Sequence, residues 1–391
     1  MPPLRRLALG ASSLLLAALA TAAAAAAQGD TPFPVRQGVD IPQPYEAVST
    51  LHTGAPDGQV QAFYKGDWPL SYSPAELHAM GFDFIRLPVN PAVLISNPPV
   101  VRARLLDQVE GGMHGFLDQH IRVIFDLHFW GPPDKVWTDL GVVSTTDRTQ
   151  FERYKALVVE VATRLARYPH GQVALDLLNE PPRCDDAFWF QRQAELAQAA
   201  RSVAPTLPLL MTGCNGGVDN MLRINASNTN LSDPNFLYTF HFYEPLMFTH
   251  QASKVKPFVV GVPYPARAGD LNDTLARTNA AIDAQNRAPD DAAAAKGSAK
   301  ANLTKYFASN IDRSFIEHRF DQITAWAKAN NIPVSRIIMG EFAAINWQTT
   351  DTPEYLKARL AWDDDVRAVA DAHGIAWAYW TLPPTHGPIF R

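Results

Sequence analysis

Cysteine is almost absent from this chain: only Cys184 and Cys214 stand among 391 residues. No C-x-x-C and no H-x-x-x-H spacing occurs, so the usual sequence patterns of a metal site are missing. Charge is scarce too, at 19% of residues, against about 25% in an ordinary soluble domain. Basic residues do not outnumber acidic ones, 34 against 39 for a formal net charge of −5, which argues against a nucleic-acid partner. Beyond the N-terminal segment no apolar run is long enough to span a membrane, and no Pro/Ser-rich linker leads to a second module. Apolar residues, by contrast, make up 47% of the chain, which excludes a wholly disordered protein. Nine Trp and 11 Tyr exceed what a core needs, a first hint of a ligand with flat apolar faces such as sugar rings.

The N-terminus reads as an export signal. Arg5 and Arg6 form a positive start, Leu7 to Leu19 an apolar stretch, and Ala22 to Ala27 a small-residue cleavage site. Cleavage after Ala27 would leave a net charge of −7. An uncleaved anchor is the alternative, since the Leu/Ala stretch nears spanning length. The expected organisation is a signal over 1–27 and one catalytic-sized unit over 28–391, secreted or periplasmic. In such an oxidising compartment two cysteines form at most one internal bridge.

Nearly continuous apolar runs recur along the chain. Strands are expected at Val35–Ile41, Phe82–Val89, Arg122–Phe129, Val173–Asn179, Leu207–Cys214, Phe236–Tyr243, Arg336–Phe342 and Ile375–Leu382. Helical periodicity fills the gaps. Phe151, Tyr154, Leu157, Val158, Val161 and Leu165 form one stripe behind the candidate N-caps Thr146 and Asp147. Leu105, Leu106, Val109, Met113, Phe116 and Leu117 form another, and Thr352-Pro353 and His373-Gly374 bracket a third helix. Strand-helix alternation with eight strands predicts a single α/β unit, a (β/α)8 TIM barrel. A doubly wound sheet competes, but no glycine-rich phosphate turn follows the first strand. A long insertion from Gln251 to about Asn310 follows strand six. It reads as a functional loop or a small helical insert, with the low-complexity part from Pro289 to Lys300 mobile.

The C-terminal ends of the strands, where such barrels keep their sites, carry unusual residues. In order they are Arg86, His128, Asn179-Glu180-Pro181, His241-Phe242-Tyr243, Glu341 and Trp380. Two carboxylates among His, Tyr, Arg and Trp match glycoside hydrolysis, which needs an acid and a second carboxylate across the scissile bond. Cys184 and Cys214 follow strands four and five, which are neighbours, so a disulfide between them is expected.

With these residues in this order the chain resembles family 5 of the glycoside hydrolases, the retaining cellulase and mannanase family. Phe248-Thr249-His250-Gln251 after strand six adds to the likeness, which runs from about Val35 to Leu382. The resemblance implies that Glu180 is the acid/base and Glu341 the nucleophile. It implies that Asn179 binds the sugar 2-hydroxyl, and that Arg86 and Tyr243 hold Glu341 ionised and aligned. His128 and His241 would lie near the acid/base and the reacting sugar, and Trp380 would stack beneath that sugar. No metal and no organic cofactor is expected, because the carboxylates supply acid, base and nucleophile. The expected partner is a β-linked polysaccharide, bound by a monomeric enzyme with no nucleic-acid partner and no membrane partner after signal cleavage. The expected activity is endo-β-1,4-glucanase. A β-mannanase or other β-glucanase on the same machinery is the alternative, and a polysaccharide-binding barrel without turnover the more distant one. Two features depart from the family pattern: Asp40, where many relatives carry Asn, and the lack, after Phe248-Thr249-His250-Gln251, of an aromatic that many relatives supply, although Gly261-Val-Pro-Tyr-Pro265 follows later. Trp130, Trp137, Tyr264 and Trp347 are further candidate platforms or packing aromatics.

Overall fold

A computed structural model of the chain describes residues 31–42, 72–129, 148–182, 186–253, 255–345 and 353–381. Eight parallel strands close into a barrel in sequence order, the last pairing back to the first. They are β1 (Gln37–Asp40), β2 (Phe84–Val89), β3 (Arg122–Leu127), β4 (Val173–Asp176), β5 (Leu209–Gly217), β6 (Phe236–Phe242), β7 (Ile337–Phe342) and β8 (Ala376–Tyr379). Around them run α1 (Pro74–Ala79), α2 (Pro91–Ser96), α3 (Pro99–Leu117), α4 (Thr149–Leu165), α5 (Asp186–Val203) and α6 (Val218–Met221). After β6 follow α7 (Leu246–Thr249), α8 (Leu271–Asp283), α9 (Pro289–Ala308), α10 (Arg313–Ala329) and α11 (Pro353–His373). This is the (β/α)8 TIM barrel expected from the alternation of apolar runs.

Strand alternation explains how the barrel is filled. Phe84, Ile124, Ala174, Leu210, Leu237 and Ile338 come from six successive strands and form one apolar plug with Phe33, Val35, Ala376 and Ala378. Their neighbours Ile85, Val123, Phe125, Leu175, Leu209, Tyr238 and Met339 belong to a second, larger cluster that includes the buried helix stripes. Both stripes read from the sequence are in it: Leu105, Val109, Met113 and Phe116 on α3, and Phe151, Tyr154, Leu157, Val161 and Leu165 on α4. Burying a Leu, Val or Phe is worth roughly 1.5–3 kcal/mol each, so the sheet is held from both faces.

Beyond shifts of strand ends, such as β5 running on to Gly217, the structure departs from expectation most clearly in three places. β4 stops at Asp176 rather than Asn179, because the chain turns there to lift Asn179 and Glu180 over the strand ends. The N-cap position of α4 is Arg148, without a side-chain cap, while Thr146 and Asp147 lie outside the described residues. Most plainly, Pro289 to Lys300 is no irregular loop but the body of α9. Pro289 sits in its first turn with Asp290 and Asp291, which suit the positive end of the helix dipole. Ala299, Leu303 and Tyr306 are its buried side, spaced by four and three residues. The Tyr306 hydroxyl donates to the Pro263 carbonyl, and the backbone N–H of Ala266 to Ile311, which fastens the insertion to itself. Tyr264 is buried and donates to Asp365 of α11 at 2.8 Å, so it packs rather than forming a platform.

Candidate active site

The same alternation that points Phe84, Ile124 and Ala174 into the lumen points Arg86, Asp126 and Asp176 there two residues later. Asp40 joins them from the end of β1. Fully buried Arg86 meets four carboxylates. Its Nη1 lies 3.2 Å from Asp40 and 2.6 Å from Glu341, and its Nη2 lies 3.1 Å from both Asp126 and Asp176. Nη2 also donates to Asn179 Oδ1 at 2.7 Å. Burial alone would lower the guanidinium pKa, but the surrounding acids hold it well above its ordinary value. One cation cannot neutralise four acids, so the layer holds protons. Burial pushes Asp126 up to about 7 against the pull of Arg86, and raises Asp40 and Asp176 as well. Each aspartate keeps one oxygen without a hydrogen-bond partner, Asp40 Oδ2, Asp126 Oδ1 and Asp176 Oδ1, where such protons have room.

Glu341 reaches this layer through an irregularity. Opposite β6 the register shifts, Phe240 facing Met339 but His241 facing Glu341, so β7 carries Gly340 as an extra residue. A Cβ at Gly340 would come within 2.7 Å of Thr239 Oγ1 and 3.2 Å of His241 Nε2, so only glycine fits the bulge unaided. Glu341 then accepts from Arg86 on one oxygen and from the Tyr243 hydroxyl, at 2.9 Å, on the other. Burial, then the charge of Glu341, holds the Tyr243 phenol well above its ordinary pKa, so it remains a donor.

Glu180 has different surroundings. It adopts a left-handed backbone, φ 38°, a conformation that costs a non-glycine residue about 1–2 kcal/mol. Its side chain is 40% exposed and its Oε1 lies 2.8 Å from His241 Nδ1. Burial brings His241 down to about 4, a neutral ring at neutral pH, and desolvation on the protein side raises the Glu180 pKa. A protonated Glu180 and an unprotonated Nδ1 are complementary. His241 Nδ1 is also 3.4 Å from Glu341, and oxygens of the two glutamates lie within 4.8 Å of each other.

His128 and Trp380 line the same mouth, their rings stacked 5.5 Å apart at 24°. His128 touches Asp126 through Nδ1 at 2.9 Å and Asn179 through Nε2 at 3.0 Å. The structure thus gathers Arg86, His128, Asn179, Glu180, His241, Tyr243, Glu341 and Trp380 at one end of the barrel. Cys214 is disulfide-bonded, and the only other cysteine in the sequence, Cys184, lies outside the described residues, as do Trp130, Trp137 and Trp347.

Sequence reasoning missed Asp126 and Asp176 as members of the site, and took Asp40 only as a departure. The available signal was a polar residue two positions after an inward apolar one. It also missed Gly216 (φ 63°), whose Cβ, if present, would sit 3.0 Å from His241 Nδ1 and 3.1 Å from Glu180 Cγ. Its neighbour Asn215 donates its backbone N–H to the carbonyl of Pro181 at 2.7 Å, tying the end of β5 to the residue after Glu180. Glu180, His241 and Glu341 offer ligand atoms close enough for a metal ion, a grouping that only the fold creates.

The profile of Cellulase (glycosyl hydrolase family 5) matches residues 58–385. Endoglucanase 3 of Fibrobacter succinogenes is 26% identical over 229 residues, 56% of this chain and 31% of that protein. Cellodextrinase A of Ruminococcus flavefaciens is 26% identical over 193 residues, covering 46% and 53%. Endoglucanase C of Acetivibrio thermocellus is 24% identical over 207 residues, covering 51% and 59%. The chain therefore spans between 31% and 59% of the length of these relatives. Among solved structures, endoglucanase Cel5A of Thermotoga maritima superposes with a TM-score of 0.60 at 19% identity, over 90% of this chain and 91% of that one. The cellulose synthase subunit Z of Clostridioides difficile gives 0.61 at 19% identity, over 90% and 93%. Barrel, strand-end residues and profile agree, and the chain belongs to glycosyl hydrolase family 5.

Proposed function

We propose that the protein is an exported endo-β-1,4-glucanase that cleaves β-glucan with retention of configuration. The observation that carries this reading is the pair Glu180 and Glu341, with oxygens within 4.8 Å and opposite surroundings. Retaining enzymes hold their two carboxyls about 5–5.5 Å apart, whereas inverting ones leave about 6.5–9.5 Å for a water. Glu341, fixed by Arg86 and Tyr243, attacks the anomeric carbon as the glycosidic C–O bond breaks. Glu180 gives its proton to the leaving oxygen. Water then attacks the glycosyl-enzyme ester, Glu180 takes its proton, and Glu341 leaves as the carboxylate. Asn179 binds the sugar 2-hydroxyl, and Trp380 supports the ring. The names of the relatives favour glucan. Export rests on the Arg5-Arg6, Leu7–Leu19 and Ala22–Ala27 pattern, which lies outside the described residues.

Reducing-end release from carboxymethylcellulose, mixed-linkage glucan, xyloglucan, glucomannan and mannan tests the reading. Fastest turnover on the β-1,4-glucans supports it. Preference for mannan would move the assignment to a mannanase, and no release from any polymer would leave only a binding barrel.

Two further results follow from the geometry. Gly216→Ala should lower kcat tenfold or more, because the new methyl displaces Glu180 or His241, and should cost about 1–2 kcal/mol in unfolding free energy from its φ. Kinetics and denaturant unfolding of the same preparation measure both. EDTA should leave activity unchanged, since Glu180 and Glu341 supply acid, base and nucleophile. A divalent cation on these atoms and His241 would compete with substrate. Activity lost to EDTA and restored by one particular metal would contradict this.

A further inference from the structure

The hydrogen bonds beneath Asn179 form a closed ring with a forced direction. Arg86 can only donate, so the atom of Asn179 facing its Nη2 at 2.7 Å is the carbonyl oxygen. The Asn179 nitrogen therefore faces His128 Nε2 at 3.0 Å and, as it can only donate, Nε2 must be the unprotonated acceptor. Burial lowers His128 to about 4, so the ring is neutral at neutral pH and its single proton is on Nδ1. That N–H donates to Asp126 Oδ2 at 2.9 Å, and the same oxygen returns to Arg86 Nη2 at 3.1 Å. Every group in the circuit Arg86, Asn179, His128, Asp126 is buried.

We propose that Asp126 is a positioning residue for Asn179: by accepting the His128 Nδ1 proton it fixes the tautomer that keeps the amide N–H turned toward the sugar 2-hydroxyl. The proposal rests on the reading of Asn179 given above. The Asn179 amide has two N–H bonds. One meets His128 and, among the described residues, no acceptor is seated on the other. If the proton moved to His128 Nε2, two donors would face each other. Turning the amide to relieve this would set its nitrogen against the Arg86 cation and remove the N–H from the sugar. The acceptor role does not depend on the charge of Asp126. Its Oδ1 is without a partner, so a proton there leaves both contacts of Oδ2 intact. Packing Trp380 against the face of His128 holds the imidazole in plane with this circuit.

The effect is separable from mere structural damage by comparing two substrates, 2,4-dinitrophenyl β-cellobioside and the analogue lacking the 2-hydroxyl on the sugar that bears the aryl group. The ratio of their kcat/KM values reads the 2-hydroxyl contact alone. In Asp126→Leu this ratio should fall tenfold or more from wild type. In Asp126→Asn, whose carbonyl can take the place of Oδ2, it should stay within about threefold. Equal slowing of both substrates by Asp126→Leu would overturn the proposal. Nitrogen-15 NMR of histidine-labelled wild-type enzyme should show a protonated Nδ1 and bare Nε2 on His128, assigned by its loss in His128→Gln. The reverse tautomer would overturn the proposal even if Asp126→Leu does not fold. If wild type cleaves neither substrate, the hydrolase reading fails, and the NMR still decides the tautomer.

Discussion

Glu341→Ala and Glu180→Ala, each supplied with azide and an activated aryl β-cellobioside, should return glycosyl azides of opposite anomeric configuration. Truncating Glu341 opens a hole beneath the anomeric carbon, between Arg86 and Tyr243, both of which donate toward it. Azide fits that hole and displaces the aryl group directly, giving the α-azide. Truncating Glu180 leaves Glu341 and its donors in place, so the glycosyl-enzyme still forms when the leaving group needs no proton. Azide then attacks from the open side, where Glu180 was 40% exposed, and gives the β-azide. Without azide, turnover of β-glucan by either variant should drop by about 10⁴-fold or more. The anomeric proton coupling in NMR distinguishes the products. The same anomer from both variants, or an α-configured first product from wild type, would show that the roles or the mechanism are wrong.

Arg86→Met should be the most damaging single substitution in the barrel. It leaves Asp40, Asp126, Asp176 and Glu341 with no cation within the lumen contacts described, and removes the donor that fixes Asn179. Breaking one buried pair by deleting a partner costs about 3–5 kcal/mol, and here four acids lose the same partner. The deficit should widen between pH 5 and pH 8. Arg86 lowers the Asp126 pKa, so its loss lifts a group already at about 7 further from its ordinary 3.8. A carboxyl raised on folding stabilises the native state while it holds its proton, and that contribution is lost as pH rises through the folded pKa. Denaturant unfolding at the two pH values measures the widening. A constant deficit would mean that the layer does not hold the protons assigned to it. Arg86→Lys should keep more stability but little activity, because one ammonium cannot fork to Glu341 and Asn179 together.

How much of this was legible beforehand depends on which physical signal each residue leaves. The strands showed because residues buried on both faces write continuous apolar runs, and Glu180, Glu341 and their companions showed because they end those runs. Asp126 and Asp176 did not. An aspartate inside an apolar strand looks like an interruption until a closed barrel defines which parity faces the lumen. The Gly340 bulge is likewise silent in sequence, yet it brings Glu341 opposite His241. In α9 the alanine-rich composition masked the weak but regular burial of Ala299, Leu303 and Tyr306. Low complexity there hid a helix with a shallow contact face.

The closure of the barrel also sets a timetable for the molecule. Thr381 donates to the carbonyl of Asp40, a partner 341 positions earlier, and Arg86 waits 255 positions for Glu341. The first needs the segment after β8 and the second needs β7, so the charged layer of the lumen is completed by contacts between distant parts of the chain. Topologies dominated by such distant pairings fold slowly. A chain cut short before β7 would therefore keep Arg86 but lose its 2.6 Å partner Glu341.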